Sequence, residues 1–276
     1  MNNFSKIQIW RMSASRPWQL EKTHPALINH LKYSGELEYH LIESVLVEEL
    51  SNECIKFGNR NGYTVHVINP AEGQGMSMDY ALTKVIDVEY SLKWEDDFMP
   101  VVDIPLDDCI ALMEQYKHIN QISFNKRKTI KYKKVSEWNE IKKRCEVYEW
   151  EKEQRYFEMN NKQYPLVVKD RWWFGSSIWR SSFIKPLFRP YLNATHNKLN
   201  DEVIMPLAGF VYGDEANGFR GRKQPTAKNI EEKIGCYIWG KVGDNQMVEH
   251  TGREDSLWKG ILQKKWEAEG RKIIGV

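Results

Sequence analysis

Apolar and polar positions follow two periods along the first hundred residues, and the switches between them lay out the elements. Ile7-Gln8-Ile9-Trp10 reads as a short strand, and the loop Ser13-Ala14-Ser15-Arg16-Pro17 follows it, with proline marking the turn. Residues 18–33 carry Trp18, Leu20, Leu27, Ile28 and Leu31 at spacings that predict an amphipathic helix. Tyr39-His40-Leu41-Ile42 reads as a second strand, and Val45 to Phe57 as a helix ended by Gly58 and Asn59. Tyr63 to Ile68 reads as a third strand closed by Asn69-Pro70. The loop Glu72-Gly73-Gln74-Gly75 then leads to a helical stretch near 76–87. A fourth strand, Tyr90 to Trp94, runs directly into Glu95-Asp96-Asp97. Strands alternating with helices predict an α/β domain with a largely parallel sheet. Ligands of such sheets bind beyond the carboxyl ends of the strands. The 13–17 loop, Glu43 and residues 95–97 are expected to gather there.

The second half is less regular. Residues 105–117 read as a helix, and 164–192 are dense in aromatics, Pro and Arg. A helical stretch after residue 200 leads to a Gly-rich charged loop at 213–225, a late strand from Gly235 to Gly240, and His250-Thr251-Gly252. Neither an internal repeat nor a linker rich in Pro, Gly and Ser divides the chain. One domain spanning 1–276, with an elaborated C-terminal half, is therefore expected.

Composition narrows the class. A chain of 276 residues can bury a large core, and 28% charged residues is too ordinary for global disorder. No apolar run approaches the roughly 20 residues that cross a bilayer. Met1 to Lys6 lacks a signal-peptide pattern, so a cytoplasmic location is expected. The 4 cysteines form no Cys-x-x-Cys pair, which predicts free thiols rather than a disulfide framework or a zinc site.

The net charge of +2 conceals an uneven distribution. Segment 126–144 holds nine Lys/Arg and two Glu, a balance of +7, which leaves −5 for the rest of the chain. Two readings stand: a solvated face, or a docking surface for a polyanion such as nucleic acid, phospholipid headgroups or an acidic glycan. Tyr132 and Trp138 interleave with the cations and would suit base or sugar stacking. The three acids ending the fourth strand also carry two readings. They form a polar strand terminus, or a site for Mg²⁺ or Mn²⁺, whose hard-oxygen preference suits carboxylates and a substrate diphosphate. Gly73 and Gly75 are not a P-loop, because no Gly-Lys-Ser/Thr follows. Serine-hydrolase and zincin motifs are missing from the sequence.

The run Val88 to Phe98, VEYSLKWEDDF, resembles the strand and acidic tip of family 2 glycosyltransferases with the GT-A fold. Ser13 to Pro17 is similar to the loop after their first strand, with Ala14-Ser15 in place of Tyr/Phe-Asn. Glu43 stands where their second strand ends in a base-contacting acid. Gly73 to Leu82 resembles a further donor-side segment, with Asp79 in place of Asn or Arg. Later, Trp173 to Arg180 resembles the acceptor-side strand and loop, Asn200-Asp201-Glu202 the pair opening the helix of the catalytic base, and Val248 to Gly252 the late His-containing segment.

The resemblance implies a GT-A, Rossmann-like, mixed and mostly parallel sheet flanked by helices. Residues 1–104 would form the nucleotide-sugar half and 105–276 the acceptor half. It implies Asp97 and His250 as ligands of Mn²⁺ or Mg²⁺. Ser13, Ser15, Arg16, Glu43, Gly75, Asp79, Glu95 and Asp96 would contact the nucleotide-sugar, a UDP-sugar by analogy. Asp201 or Glu202 would be the base, although Asn200-Asp201-Glu202 also suits an ordinary helix cap. Trp173, Trp179, Arg180, Arg220 and Arg222 would face the acceptor. That acceptor would be a glycan or lipid-linked sugar, or a hydroxymethylated base in DNA as in phage-type DNA-modifying glycosyltransferases, in which case the chain would work in the host cytoplasm. Alternatives are a non-catalytic sugar-nucleotide or nucleic-acid binding module, and a nucleotidyltransferase.

Overall fold

A computed structural model describes residues 5–69, 74–125, 127–129, 132–139, 144–151, 153–169, 175–185, 235–254 and 260. The elements run β1 (Ile7–Ser13), α1 (Pro17–His30), β2 (Leu31–Lys32), β3 (Leu37–Ser44), α2 (Glu48–Arg60), β4 (Thr64–Ile68) and α3 (Gln74–Tyr80). A π-turn (Ala81–Val85) leads to β5 (Tyr90–Glu95), β6 (Phe98–Pro100), β7 (Ile104–Pro105), α4 (Leu106–Gln115) and β8 (Gln121–Ser123). Then come β9 (Tyr132–Asn139), β10 (Arg144–Glu151), β11 (Gln154–Met159), β12 (Lys162–Val168), β13 (Ser177–Arg180), β14 (Cys236–Trp239), β15 (Val248–His250) and a 3₁₀ turn (Thr251–Glu254).

Among the described residues, nine strands form one sheet in the order β11-β12-β14-β8-β13-β5-β1-β3-β4. The expected α/β architecture is the one observed. Strands β4, β3, β1 and β5 are parallel neighbours. The second half enters antiparallel through β13, wedged between β5 and β8. β1 is buried at every position, as a parallel strand covered on both faces must be. Side chains along β3 alternate between two cores. Ile42 joins the large cluster around Trp10, Leu92 and Trp94, while Leu41 joins Leu20, Cys54, Phe57 and Tyr63 beneath α1 and α2. No helix among the described residues is long and apolar enough to cross a membrane.

Two local expectations are corrected. α2 does not stop at Gly58 but continues to Arg60. Gly58 is a packing position: a Cβ there would stand 2.5 Å from Val65 Cγ2 and 3.0 Å from Leu41 Cδ2. The chain reverses at Gly62 instead, whose φ of +76° suits glycine. The basic segment contributes strand β9, which pairs antiparallel with β10 and sets Lys134 opposite Glu149. By sequence β9 carries a formal +1 and β10 a formal −2, so the hairpin strands sum to −1. By sequence, +4 of the +7 balance of 126–144 lies at 126–131, ahead of β9, and +1 at 140–143.

Candidate functional site

The parallel register brings the ends of three strands into one line. Ser13 of β1 stands opposite Glu43 of β3, and Met12 opposite Glu95 of β5. Beyond that line the chain turns sharply at Ser15, whose φ of +56° is costly for a residue with a Cβ. The turn is held by its surroundings. Ser15 N donates to Glu43 Oε1 at 2.7 Å, and Ser15 Oγ accepts from Leu46 N and Val47 N at 3.0 Å each. Ser51 Oγ donates to the same Glu43 oxygen at 2.7 Å. Glu43 is fully buried; Ser13 and Cys54 adjoin its carboxyl, and its Oε2 lacks a well-formed hydrogen bond to any described residue. Burial raises its pKa, opposed by the Ser51 hydroxyl and the Ser15 N–H.

The strained turn delivers Arg16 to the tip of β5. Arg16 Nε donates to Asp96 Oδ2 at 2.9 Å, its Nη2 contacts Asp96 Oδ1, and its Nη1 donates to Asp97 Oδ2 at 2.9 Å. From the other side His250 Nε2 lies 3.2 Å from the same Asp97 oxygen. Thr251 N donates to the Asp97 carbonyl at 2.8 Å, and Thr251 Oγ1 lies 2.8 Å from Gln19 Oε1. β15 reaches this position by pairing with β6, which sets His250 opposite Phe98. Burial raises the pKa of Asp96, against the opposing charge of Arg16. Burial also acts upward on Asp97, but contact with His250 and the Arg16 charge outweigh it and hold this carboxyl low.

Two buried cations lie under the acids. Arg11, fully buried on β1, donates to the Asp96 carbonyl at 3.0 Å and contacts Thr23. Lys93, fully buried on β5, donates to Glu95 Oε1 at 2.9 Å. Sequence reasoning missed Arg11, Lys93, Ser51, Gln19 and Thr251. A charged residue at a strand position that neighbouring apolar residues mark as interior was the available signal for Arg11 and Lys93.

The residues present fit a divalent cation that shares its coordination with a substrate. Asp97 Oδ1 is buried without a hydrogen-bond partner among the described residues, and the His250 ring adjoins the other oxygen. No cluster of three or more His, Cys, Asp or Glu with metal spacing occurs among the described residues. A cation held by one or two side chains and completed by phosphate oxygens is the arrangement Mg²⁺ favours.

Of the other expected site residues, Trp179 and Arg180 lie away from the acidic tip. Arg180 pairs with Tyr90 in register, at the end of β5 opposite the acids, and donates to Glu89 Oε1 at 3.0 Å. It is removed from the acidic tip because β13 runs antiparallel to β5. Trp179 is fully buried, edge-on to Trp10 at 5.8 Å, so its ring is core rather than a stacking platform. Gly75 and Asp79 lie on α3, which Ser77 ties to the end of β3 through a 2.6 Å contact with Ser44. Trp173, Asp201, Glu202, Arg220 and Arg222 lie outside the described residues.

No family model and no curated protein matches the chain. Among solved structures, residues 1–349 of S. aureus TarS are similar at 12% identity and TM-score 0.50, covering 94% of this chain. The chain spans 64% of the length of that fragment. GalNAc-T7 with UDP, GalNAc and Mn²⁺ is similar at 12% identity and TM-score 0.47, over 68% of this chain and 37% of that one. The mannosyltransferase PcManGT from Pyrobaculum calidifontis, in complex with GDP-Man and Mn²⁺, is similar at 9% identity and TM-score 0.48, over 100% of this chain and 67% of that one. The architecture is the GT-A fold of glycosyltransferases.

Proposed function

We propose that this chain is a metal-dependent glycosyltransferase that moves a sugar from a nucleotide-sugar, a UDP-sugar first, to a hydroxyl acceptor. One observation carries the reading. The turn at Ser15 and Arg16, the buried Glu43, the Asp96–Asp97 pair and His250 come from distant parts of the sequence and converge beyond the carboxyl ends of β1, β3 and β5. That is where an open α/β sheet binds its ligand.

Each group has a role in this reading. The buried Glu43 carboxyl accepts an N–H of the nucleotide base. The Arg16 guanidinium suits phosphate oxygens, which it can grip bidentately. Asp97 and His250 hold the cation. When bound, that ion stabilises the negative charge of the departing nucleoside diphosphate. Asp201 or Glu202 takes the proton of the acceptor hydroxyl as its oxygen bonds to the anomeric carbon and the bond to the β-phosphate oxygen breaks. A glycan or lipid-linked sugar is the acceptor taken first, with a hydroxymethylated base in DNA as the second candidate, because residues 126–144 keep their +7 balance by sequence.

A donor screen with Mn²⁺ tests the reading, with product masses measured on glycan and hydroxymethyl-DNA acceptors. A mass gain of one sugar on a glycan supports it. A gain on DNA alone overturns the acceptor assignment. Pyrophosphate release without sugar transfer would show nucleotidyl transfer, and binding without turnover would show a binding module.

A further inference from the structure

The cation at Asp97 has a competitor built into the chain. All three Arg16 guanidinium nitrogens face Asp96 and Asp97, and the side chain is only 14% exposed. Asp97 Oδ2 accepts from both Arg16 and His250, so the pair suited to a metal is closed on itself. The acids Glu95, Asp96 and Asp97 are already faced by three cations, Lys93, Arg11 and Arg16. Lys93 and Arg11 are fully buried inside strands, whereas Arg16 stands at the mouth of the site on a loop. Its backbone is pinned, because its carbonyl accepts from Gln19 N at 3.1 Å and Leu20 N at 3.3 Å. Arg16 also occupies the N-cap position of α1, a 14-residue helix with no acid in its first turn. The positive end of that helix and the guanidinium thus face the same region.

We propose that Arg16 is the resident counter-cation of this site: it holds Asp97 until a nucleoside diphosphate draws the guanidinium away, so that metal and diphosphate bind cooperatively and metal alone binds weakly. The inference rests on the glycosyltransferase reading and assigns Arg16 an exchange that reading does not require. In the exchange Arg16 Nη1 trades the Asp97 oxygen for a phosphate oxygen as Asp97 and His250 become available, while Nε and Nη2 keep facing the buried Asp96 carboxylate. By linkage, the factor by which diphosphate strengthens metal binding equals the factor by which metal strengthens diphosphate binding.

The test is Mn²⁺ binding followed by electron paramagnetic resonance, alone and with UDP or GDP, on the wild type, Arg16→Gln and Arg16→Lys. In the wild type, a diphosphate should tighten Mn²⁺ binding by about 10-fold or more, within the usual range of coupling. Arg16→Gln should bind Mn²⁺ alone more tightly than the wild type and gain less from diphosphate. Arg16→Lys keeps the charge without the fork and should fall between them. It carries the comparison if Arg16→Gln does not fold by circular dichroism. Thermal unfolding supplies a second readout: Mn²⁺ should raise the Tm of Arg16→Gln more than that of the wild type. The proposal is overturned if removing the guanidinium leaves metal affinity unchanged, or if wild-type chain binds Mn²⁺ and diphosphate independently. Independent binding of both would leave the glycosyltransferase reading standing; binding of neither would remove both.

Discussion

Gly252 lies in the turn that closes on Asp97, and a methyl group there is the smallest perturbation that reaches the acid. A Cβ at this position would collide with Asp97 Oδ2 and stand 2.9 Å from both Cβ and Cγ of Asp97. Unbonded carbons prefer about 3.5–4.0 Å, so the turn or the carboxylate must move by roughly 0.6–1 Å. A displacement of about 1 Å at a reacting group can cost about 100-fold, equivalent to about 2.7 kcal/mol of barrier. The fold should survive. Overpacking costs about 1–3 kcal/mol, and the reduced freedom of the unfolded chain returns about 0.4–1 kcal/mol. The assay is UDP release from a UDP-sugar with Mn²⁺ and acceptor, alongside urea unfolding. Gly260→Ala is the control, because no described residue lies within 4 Å of its added Cβ. Wild-type kcat/KM in Gly252→Ala, or an equal loss in Gly260→Ala, would refute the close approach of this turn to Asp97.

Three further outcomes are expected. Gly58→Ala should destabilise the protein by about 1–3 kcal/mol through its contacts with Val65 and Leu41, with kcat per folded molecule unchanged; urea unfolding and active-site titration check this. His24, 3.0 Å from the Tyr63 hydroxyl, has its pKa lowered from 6.5 to about 4 by burial and by the Arg11 charge. The unfolded chain therefore takes the proton first, so this contribution is complete above pH 6.5 and is lost as pH falls toward 4. Discounted for partial exposure it amounts to about 1 kcal/mol, and His24→Gln should reduce the loss of urea stability between pH 7.5 and about 5 by that amount. Of Asp201→Asn and Glu202→Gln, the one that removes the base should lower kcat by about 10²–10⁴-fold and flatten the acid limb of the pH–rate profile; wild-type profiles in both would remove the base assignment.

The strand ends are legible in the sequence. β1, β3 and β5 announce themselves as short apolar runs, and the acids after Trp94 mark where the central strand leaves the core. Arg16, Glu43 and Asp97 can be grouped because each follows or ends a readable strand, and His250 joins them only through the family resemblance. Arg11 and Lys93 cannot be grouped this way, since strand periodicity tells which face a residue takes but not which buried charge it meets. Gly58 looked like a helix stop because a glycine that ends a helix and one that lets a helix approach a strand share the same local pattern. The β9–β10 hairpin was hidden by its charge, which read as a solvated run or docking face rather than as two pairing strands. The family resemblance of Trp173 to Arg180 puts Trp179 and Arg180 on the acceptor side. The antiparallel entry of β13 sends Arg180 to the opposite end of β5 and leaves Trp179 in the core.

The central claim is that Asp97 serves a cation-dependent transfer from a nucleotide-sugar. Its most direct test compares UDP release from a UDP-sugar by the wild type and by Asp97→Asn, with Mn²⁺ and after chelation. The account predicts release by the wild type with Mn²⁺, loss of that release on chelation, and a fall of about 100-fold or more in Asp97→Asn that remains folded by circular dichroism. Full turnover in Asp97→Asn, or release unaffected by chelation, would contradict it.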